Sequence, residues 1–194
     1  MRLVGITGKA GAGKSTLCKQ LTTAYGIPHF NSDSRIKALI ATDPAIHLGM
    51  RSLLPNGFVD NTFKPDLVRT QVLSNPELLG KINALIIPSL RDEYLNWGIR
   101  QTAAYGLVEF ALIREMELEN DFVAVILVHA PEYLRVEKLI DRGLDTKTIA
   151  LLAAQQTAVN PGTLQVDMTQ PVNLEKLHQT IQEITHEFQP GMEI

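Results

Sequence analysis

The chain has 194 residues, enough for one well-buried α/β domain with a small insertion. Its 45% hydrophobic and 20% charged residues are those of an ordinary globular protein, and a net charge of −3 implies no general affinity for nucleic acid or anionic membrane. A single cysteine, Cys18, excludes an internal disulfide, no apolar run reaches the length of a membrane span, and Met1 leads into a strand without a signal peptide, so a cytoplasmic protein is expected.

The first element is the apolar strand "RLVGIT", which runs into "ITGKAGAGKST". Gly8, four residues, then Gly13-Lys14-Ser15 fits the phosphate-binding pattern G-x-x-x-x-G-K-[ST]. Glycines let several backbone N–H groups converge on one anion, and the helix that follows points its positive end at the same charge. The phosphates of ATP are therefore expected over Gly8, Lys9, Ala10, Gly11, Ala12, Gly13, Lys14, Ser15 and Thr16. Lys14 is expected to reach the β- and γ-phosphates, and the Ser15 hydroxyl to ligate Mg²⁺. "KSTLCKQLTTAYG" reads as a helix closing at Gly26, with Cys18 as core filler beside Leu17 and Leu21.

"GIPHFN" is a short second strand, and "SDSRIKALIAT" turns helical. Asp33 suits two roles there: a base that accepts a proton from an acceptor hydroxyl, or the N-cap of the helix. "AIHLGMRSLL" is helix-like, "PNGFVDNTFKPD" is a polar turn-rich stretch, and Pro65 to Gln101 is helical with a break or kink at Pro88. "YGLVEFALI" reads as a buried strand interrupted by Glu109. That carboxylate helps hold Mg²⁺, or else it is solvated on an edge strand with one wet face.

"DFVAVILVHA" is a further strand, and "PEYLRVEKLIDRG" is a helix opened by proline and closed by Gly143. Lys138 and Arg142, four apart, share a face that suits charge on a transferring phosphoryl group, whereas Arg135 and Lys147 read as solvated surface. "DTKTIALLAAQQ" is a helix capped by Asp145, "LQVDMTQ" a last short strand, and "NLEKLHQTIQEITHEF" a final amphipathic helix. The five histidines show no metal-ligand spacing. Strands alternating with helices imply a parallel sheet covered on both faces, with ligands beyond the C-terminal strand ends. The phosphate loop, "NSD" and Glu109 all fall at such ends, beneath a helical insertion at about 46–101.

In their order these motifs resemble the dephospho-coenzyme A kinase family, over roughly residues 1 to 180. "PHFNSD" resembles the segment carrying that family's catalytic aspartate, which falls on Asp33, and "VEFALIRE" is similar to D-x-P-L-L-x-E, which places acidic residues on Glu109 and Glu115. "LLPNGFVDNTFKPDLVRTQVLSNPELLGKINALIIPSL" resembles the acceptor segment, and "LRVEKLIDRGLDTKTIALLAAQ" the lid, with Arg142 and Gln155 at matching positions. The resemblance implies a P-loop NTPase three-layer α/β sandwich with a parallel sheet, and a lid at about 134–158. It further implies ATP with Mg²⁺, a small-molecule acceptor such as dephospho-CoA or a similar nucleotide, and catalysis by Asp33, Lys14 and Arg142.

The chain departs from the family pattern at several positions. Asn61 and Ile87 stand where the family places Arg and His, Ala111 replaces the signature proline, and Lys138 and Leu151 replace lid arginines. The acceptor side therefore lacks two expected partners, which leaves a different nucleotide-like acceptor open. The stretch Lys9 to Lys14 also resembles the deviant Walker loop of dimerising ATPase switches, an alternative in which ATP controls a protein partner.

Overall fold

The computed structural model describes residues 1–155 and 164–187. The chain runs through β1 (Arg2–Thr7), α1 (Lys14–Tyr25), β2 (His29–Asn31), α2 (Ser32–Thr42), α3 (Pro44–Leu53), β3 (Phe58–Val59), β4 (Thr62–Phe63), α4 (Pro65–Leu73) and α5 (Pro76–Ile99). It continues through β5 (Tyr105–Glu109), β6 (Ala124–His129), α6 (Glu132–Asp141), α7 (Thr146–Ala154), β7 (Leu164–Asp167) and α8 (Leu174–Glu187). Gln156 of the expected "DTKTIALLAAQQ" helix, positions 156–158 of the expected lid and Phe188 of the final helix lie outside the described residues.

Five strands form one parallel sheet in the order β2-β5-β1-β6-β7. Successive side chains alternate between its faces, and both faces are covered. Leu3, Phe30 and Val108 pack under Leu90 and Tyr94 of α5 on one side. On the other, Val4, Ile6, Leu107 and Ile126 pack under Leu17, Cys18 and Leu21 of α1 and Ile181 of α8. Each such aliphatic side chain, fully buried, contributes roughly 1.5–3 kcal/mol, so the sheet is anchored from both sides. The strand order reverses direction at β1, which opens a crevice beyond its C-terminal end.

Three local readings change. Pro88 does not interrupt α5, which is continuous from Pro76 to Ile99. Pro88 and Ala84 are both exposed, so water can serve the carbonyl that the missing N–H leaves free. The break comes earlier, at Asn75, whose side chain accepts from Leu78 N (3.0 Å) and caps α5. The polar stretch after α3 contains a hairpin, with Phe58 paired to Phe63 and Val59 to Thr62. Its two turn residues, Asp60 and Asn61, have φ of 47° and 61°, the conformation that suits Asx residues in a two-residue turn.

The helical stretch differs from a pure insertion, because α3 starts at Pro44 and α5 returns to cover a sheet face. A bidentate contact from Arg91 to Asp121 (2.7 and 2.5 Å), joined by a hydrogen bond from the Tyr94 hydroxyl, pins α5 to the turn before β6. No helix among the described residues is long and apolar enough to cross a membrane.

Candidate active site

The phosphate loop joins β1 to α1, and its course is dictated by what lies against it. Gly8 has φ of 140°, and a Cβ there would sit 2.1 Å from the Val128 carbonyl oxygen of β6. Gly11 has φ of 78°, and a Cβ would meet the Arg135 carbonyl oxygen of α6 at 2.7 Å. No other residue fits either position without moving the loop. Inside the loop Ala12 N donates to Lys9 O at 3.1 Å. The Lys14 ammonium folds back across the loop to donate to the carbonyls of Gly8 (2.7 Å) and Lys9 (3.3 Å). Burial lowers its pKa and nearby Arg142 adds to that, while Glu109 and Asp33 oppose them.

Glu109 occupies the end of β5, between β2 and β1 rather than on an edge, and is 6% exposed. That position removes the solvated reading. A buried carboxylate needs partners, and three side chains supply them: Ser15 Oγ at 2.5 Å, Asn31 Nδ2 at 2.8 Å and His29 Nε2 at 3.1 Å. Burial pushes the Glu109 pKa up, but the hydrogen bonds from His29, Ser15 and Asn31 outweigh it and hold the group below the usual glutamate value. An ionised carboxylate touching a hydroxyl at the start of α1 is a hard-oxygen donor pair, which fits Mg²⁺.

Asn31 also settles the ambiguity over Asp33. Its Oδ1 accepts from Ser34 N at 2.9 Å, so Asn31 is the N-cap of α2 and Asp33 is not. Asp33 opens instead onto a cavity of about 280 Å³. The residue is exposed there, yet partial desolvation by the neighbouring protein raises its pKa, opposed by Lys14 and Lys37 and helped by Glu109. Lys14, Ser15, Glu109, Arg142 and Gln155 line the same cavity, together with apolar residues of α4 and α5 (Leu73, Leu79) and of α6 and α7 (Leu139, Leu152). Across it Gln155 Nε2 donates to Leu73 O at 3.0 Å, which links the end of α7 to α4.

The two basic readings on α6 require correction. The side of α6 facing the phosphate loop carries Arg135, Leu139 and Arg142, so Arg142 reaches the cavity while Lys138, turned off that face, does not line it. Arg135 is not solvated surface: it is 8% exposed and donates to Ala130 O (3.2 Å) and to Ala10 O of the loop (3.5 Å). Lys147 is exposed, as read from the sequence, and Glu115 sits in the turns after β5 without lining the cavity.

At the hairpin, Asn61 Oδ1 accepts from Arg51, His47 Nε2 of α3 lies 3.2 Å from the same oxygen, and the Arg51 guanidinium lies 5.7 Å from the Phe58 ring centre. A cation therefore does stand beside position 61, supplied by another helix. Sequence reasoning missed His29 and Asn31 as partners of Glu109. Their only signal is the register of β2 on β5, which sets Asn31 opposite Glu109.

The family model for dephospho-CoA kinase matches residues 2–163 of the chain. A dephospho-CoA kinase from Chlorobium luteolum is 32% identical over 174 residues, covering 81% of this chain and 78% of that protein. One from Porphyromonas gingivalis is 29% identical over 143 residues, covering 73% and 70% respectively. The crystal structure of TT1252 from Thermus thermophilus matches 97% of this chain and 98% of that chain with a TM-score of 0.74 at 23% identity, a likeness of fold.

Proposed function

The chain belongs to the dephospho-CoA kinase family, and from that premise we propose that it transfers the γ-phosphoryl group of ATP to the ribose 3′-hydroxyl of dephospho-CoA. The observation that carries this reading is one cavity in which Asp33, Lys14 and Arg142 face each other beside the Ser15–Glu109 pair. Phosphoryl transfer asks for positioned charge rather than covalent chemistry, and this cavity offers it.

Each residue has a defined task in that reaction. The N–H groups of the Gly8–Thr16 loop and the α1 N-terminus cradle the β- and γ-phosphates. Lys14, now on the carbonyls of Gly8 and Lys9, turns its ammonium to the phosphates. Asp33 accepts the proton of the acceptor hydroxyl, and its raised pKa moves it toward the range of an effective base. Arg142 stabilises charge on the phosphoryl group in flight. Ser15 and Glu109 would hold Mg²⁺, which neutralises phosphate charge when bound. The Gln155–Leu73 contact and the leucines around it give the cavity an apolar wall on the side of α4 and α7.

The test is an assay of the full chain with ATP and Mg²⁺ against dephospho-CoA and a set of nucleoside monophosphates, read as phosphorylated product. Product from dephospho-CoA alone is expected. Efficient phosphorylation of a different acceptor, or steady ATP consumption with no acceptor, refutes the assignment.

A further inference from the structure

We propose that Cys18, His29 and Glu109 form a site for a thiophilic divalent cation, zinc foremost, behind the carboxylate that faces the nucleotide. The site goes beyond the kinase reading and draws on it only through the double use of Glu109. Among the described residues, one ligand atom from each of these three side chains lies within 4.8 Å of the other two. Cys18 is completely buried and Glu109 is 6% exposed, so two of the three ligands are held inside the protein. They come from three rigid elements, α1, the start of β2 and the end of β5.

The donor set selects the metal. Sulfur, imidazole nitrogen and one carboxylate oxygen suit zinc, whereas Mg²⁺ demands oxygen ligands. Zinc bonds of roughly 2.0–2.3 Å in a tetrahedron separate neighbouring ligand atoms by about 3.3–3.8 Å, so the three side chains close on an ion by moving about 1 Å. Three protein ligands leave the fourth position for water, and binding releases the thiol proton to solvent. An entry route exists as well. The His29 side chain is 20% exposed and lines a separate cavity of about 370 Å³ at the β2 edge, beside Arg35 and Trp97.

Occupancy of this site has a consequence for catalysis. The Glu109 oxygen that accepts from His29 and Asn31 turns to the ion, and the carboxylate is drawn away from Ser15. The site is therefore inhibitory, and because both ions draw on Glu109, Mg²⁺ opposes it only through that shared carboxylate and not at the thiolate.

The full chain is titrated with Co²⁺ as a spectroscopic substitute for zinc, with no substrate present, and Zn²⁺ affinity is measured against a chelating dye. A thiolate-to-cobalt charge-transfer band is expected, displaced by one equivalent of Zn²⁺. Cys18→Ala and His29→Gln should each abolish the band and weaken Zn²⁺ binding by at least about tenfold. Cys18→Ala should keep its basal turnover and lose the Zn²⁺ inhibition that the unaltered chain shows at a fixed Mg²⁺ concentration. No band in the unaltered chain, or equal Zn²⁺ affinity with and without the Cys18 thiol, overturns the proposal. The cobalt spectrum needs no acceptor, so its failure and a failure of dephospho-CoA phosphorylation are separate results.

Discussion

Replacing Glu109 by Gln tests the Mg²⁺ assignment, because it keeps the side chain's shape and removes its charge. The surrounding hydrogen bonds dictate how the new amide must sit. Asn31 cannot turn its own amide over, since its Oδ1 caps α2 through Ser34 N at 2.9 Å. Its Nδ2 therefore still requires an acceptor, and the oxygen of the new amide must take the side facing Asn31 and His29. The new NH₂ then points at Ser15, whose hydroxyl rotates to accept from it. Ser15 thereby loses an exposed lone pair at the moment the site loses its negative charge.

A contact with a charged group contributes roughly 1.5–3 kcal/mol. Losing one such contact to the metal corresponds to about a ten- to hundredfold weaker Mg²⁺-dependent affinity for ATP. Stability should change less, because the cost of burying the charge disappears together with the charge-assisted bonds it receives. The assay is calorimetric titration of ATP in excess Mg²⁺ and again in EDTA, with a thermal melt of each protein. The Glu109→Gln loss is expected in Mg²⁺ and absent in EDTA. An equal loss in both conditions, or none in either, refutes a metal role for Glu109.

Three further outcomes follow from the same geometry. Asp33→Asn should lower turnover by about 10²–10⁴-fold with ATP affinity little changed. Because partial desolvation and Glu109 raise the Asp33 pKa, acidification should protonate the base and lower kcat/KM through a value above 3.8; an acid limb that persists in the Asn variant argues against Asp33 as the base. Lys14→Ala should abolish turnover and leave the melting temperature close to that of the unaltered chain, since the ammonium serves no core contact; retained turnover contradicts its phosphate role. The Asp121 pKa is held down chiefly by hydrogen bonding to Arg91 and also by Tyr94. Its stabilisation is therefore present above the usual aspartate pKa and lost as pH falls through the lower folded value. Asp121→Asn should cost roughly 1–3 kcal/mol near neutral pH, a difference from the unaltered chain that closes in acid, as melts across pH will show.

What the residues reveal by themselves is local. The Gly8-to-Ser15 spacing, the strand before it and the helix after it lie within a few residues of one another, and the structure builds them as read. Cross-strand chemistry stays hidden: Asp33 resembles a cap because nothing in sequence shows that Asn31 already occupies that place. Glu109 reads as solvated as readily as metal-binding, since its burial depends on β2 pairing outside β5, some 78 residues away in the chain. Arg135 escapes a sequence reading because the spacing of apolar residues along a helix does not reveal which distant loop comes within reach of its guanidinium, as the Ala10 carbonyl does. Pro88 illustrates a local rule yielding to context, where an exposed proline is carried by a helix anchored at Leu90 and Tyr94.

The Arg135 contact also constrains how the segment from α6 to α7 would act as a lid. Through its guanidinium on Ala10 and its carbonyl against Gly11, α6 is built into the wall of the phosphate loop, and it cannot lift without distorting that loop. The pivot must lie beyond it, and Gly143, with φ of 82° and open space around its α-carbon, is the first residue after α6 suited to that task. A swing about Gly143 would move α7 alone, carrying Gln155 off Leu73 and leaving Arg142 with α6. Entry and exit of ligands would thus be timed by a short flap, with the charge that meets the phosphoryl group preset before closure.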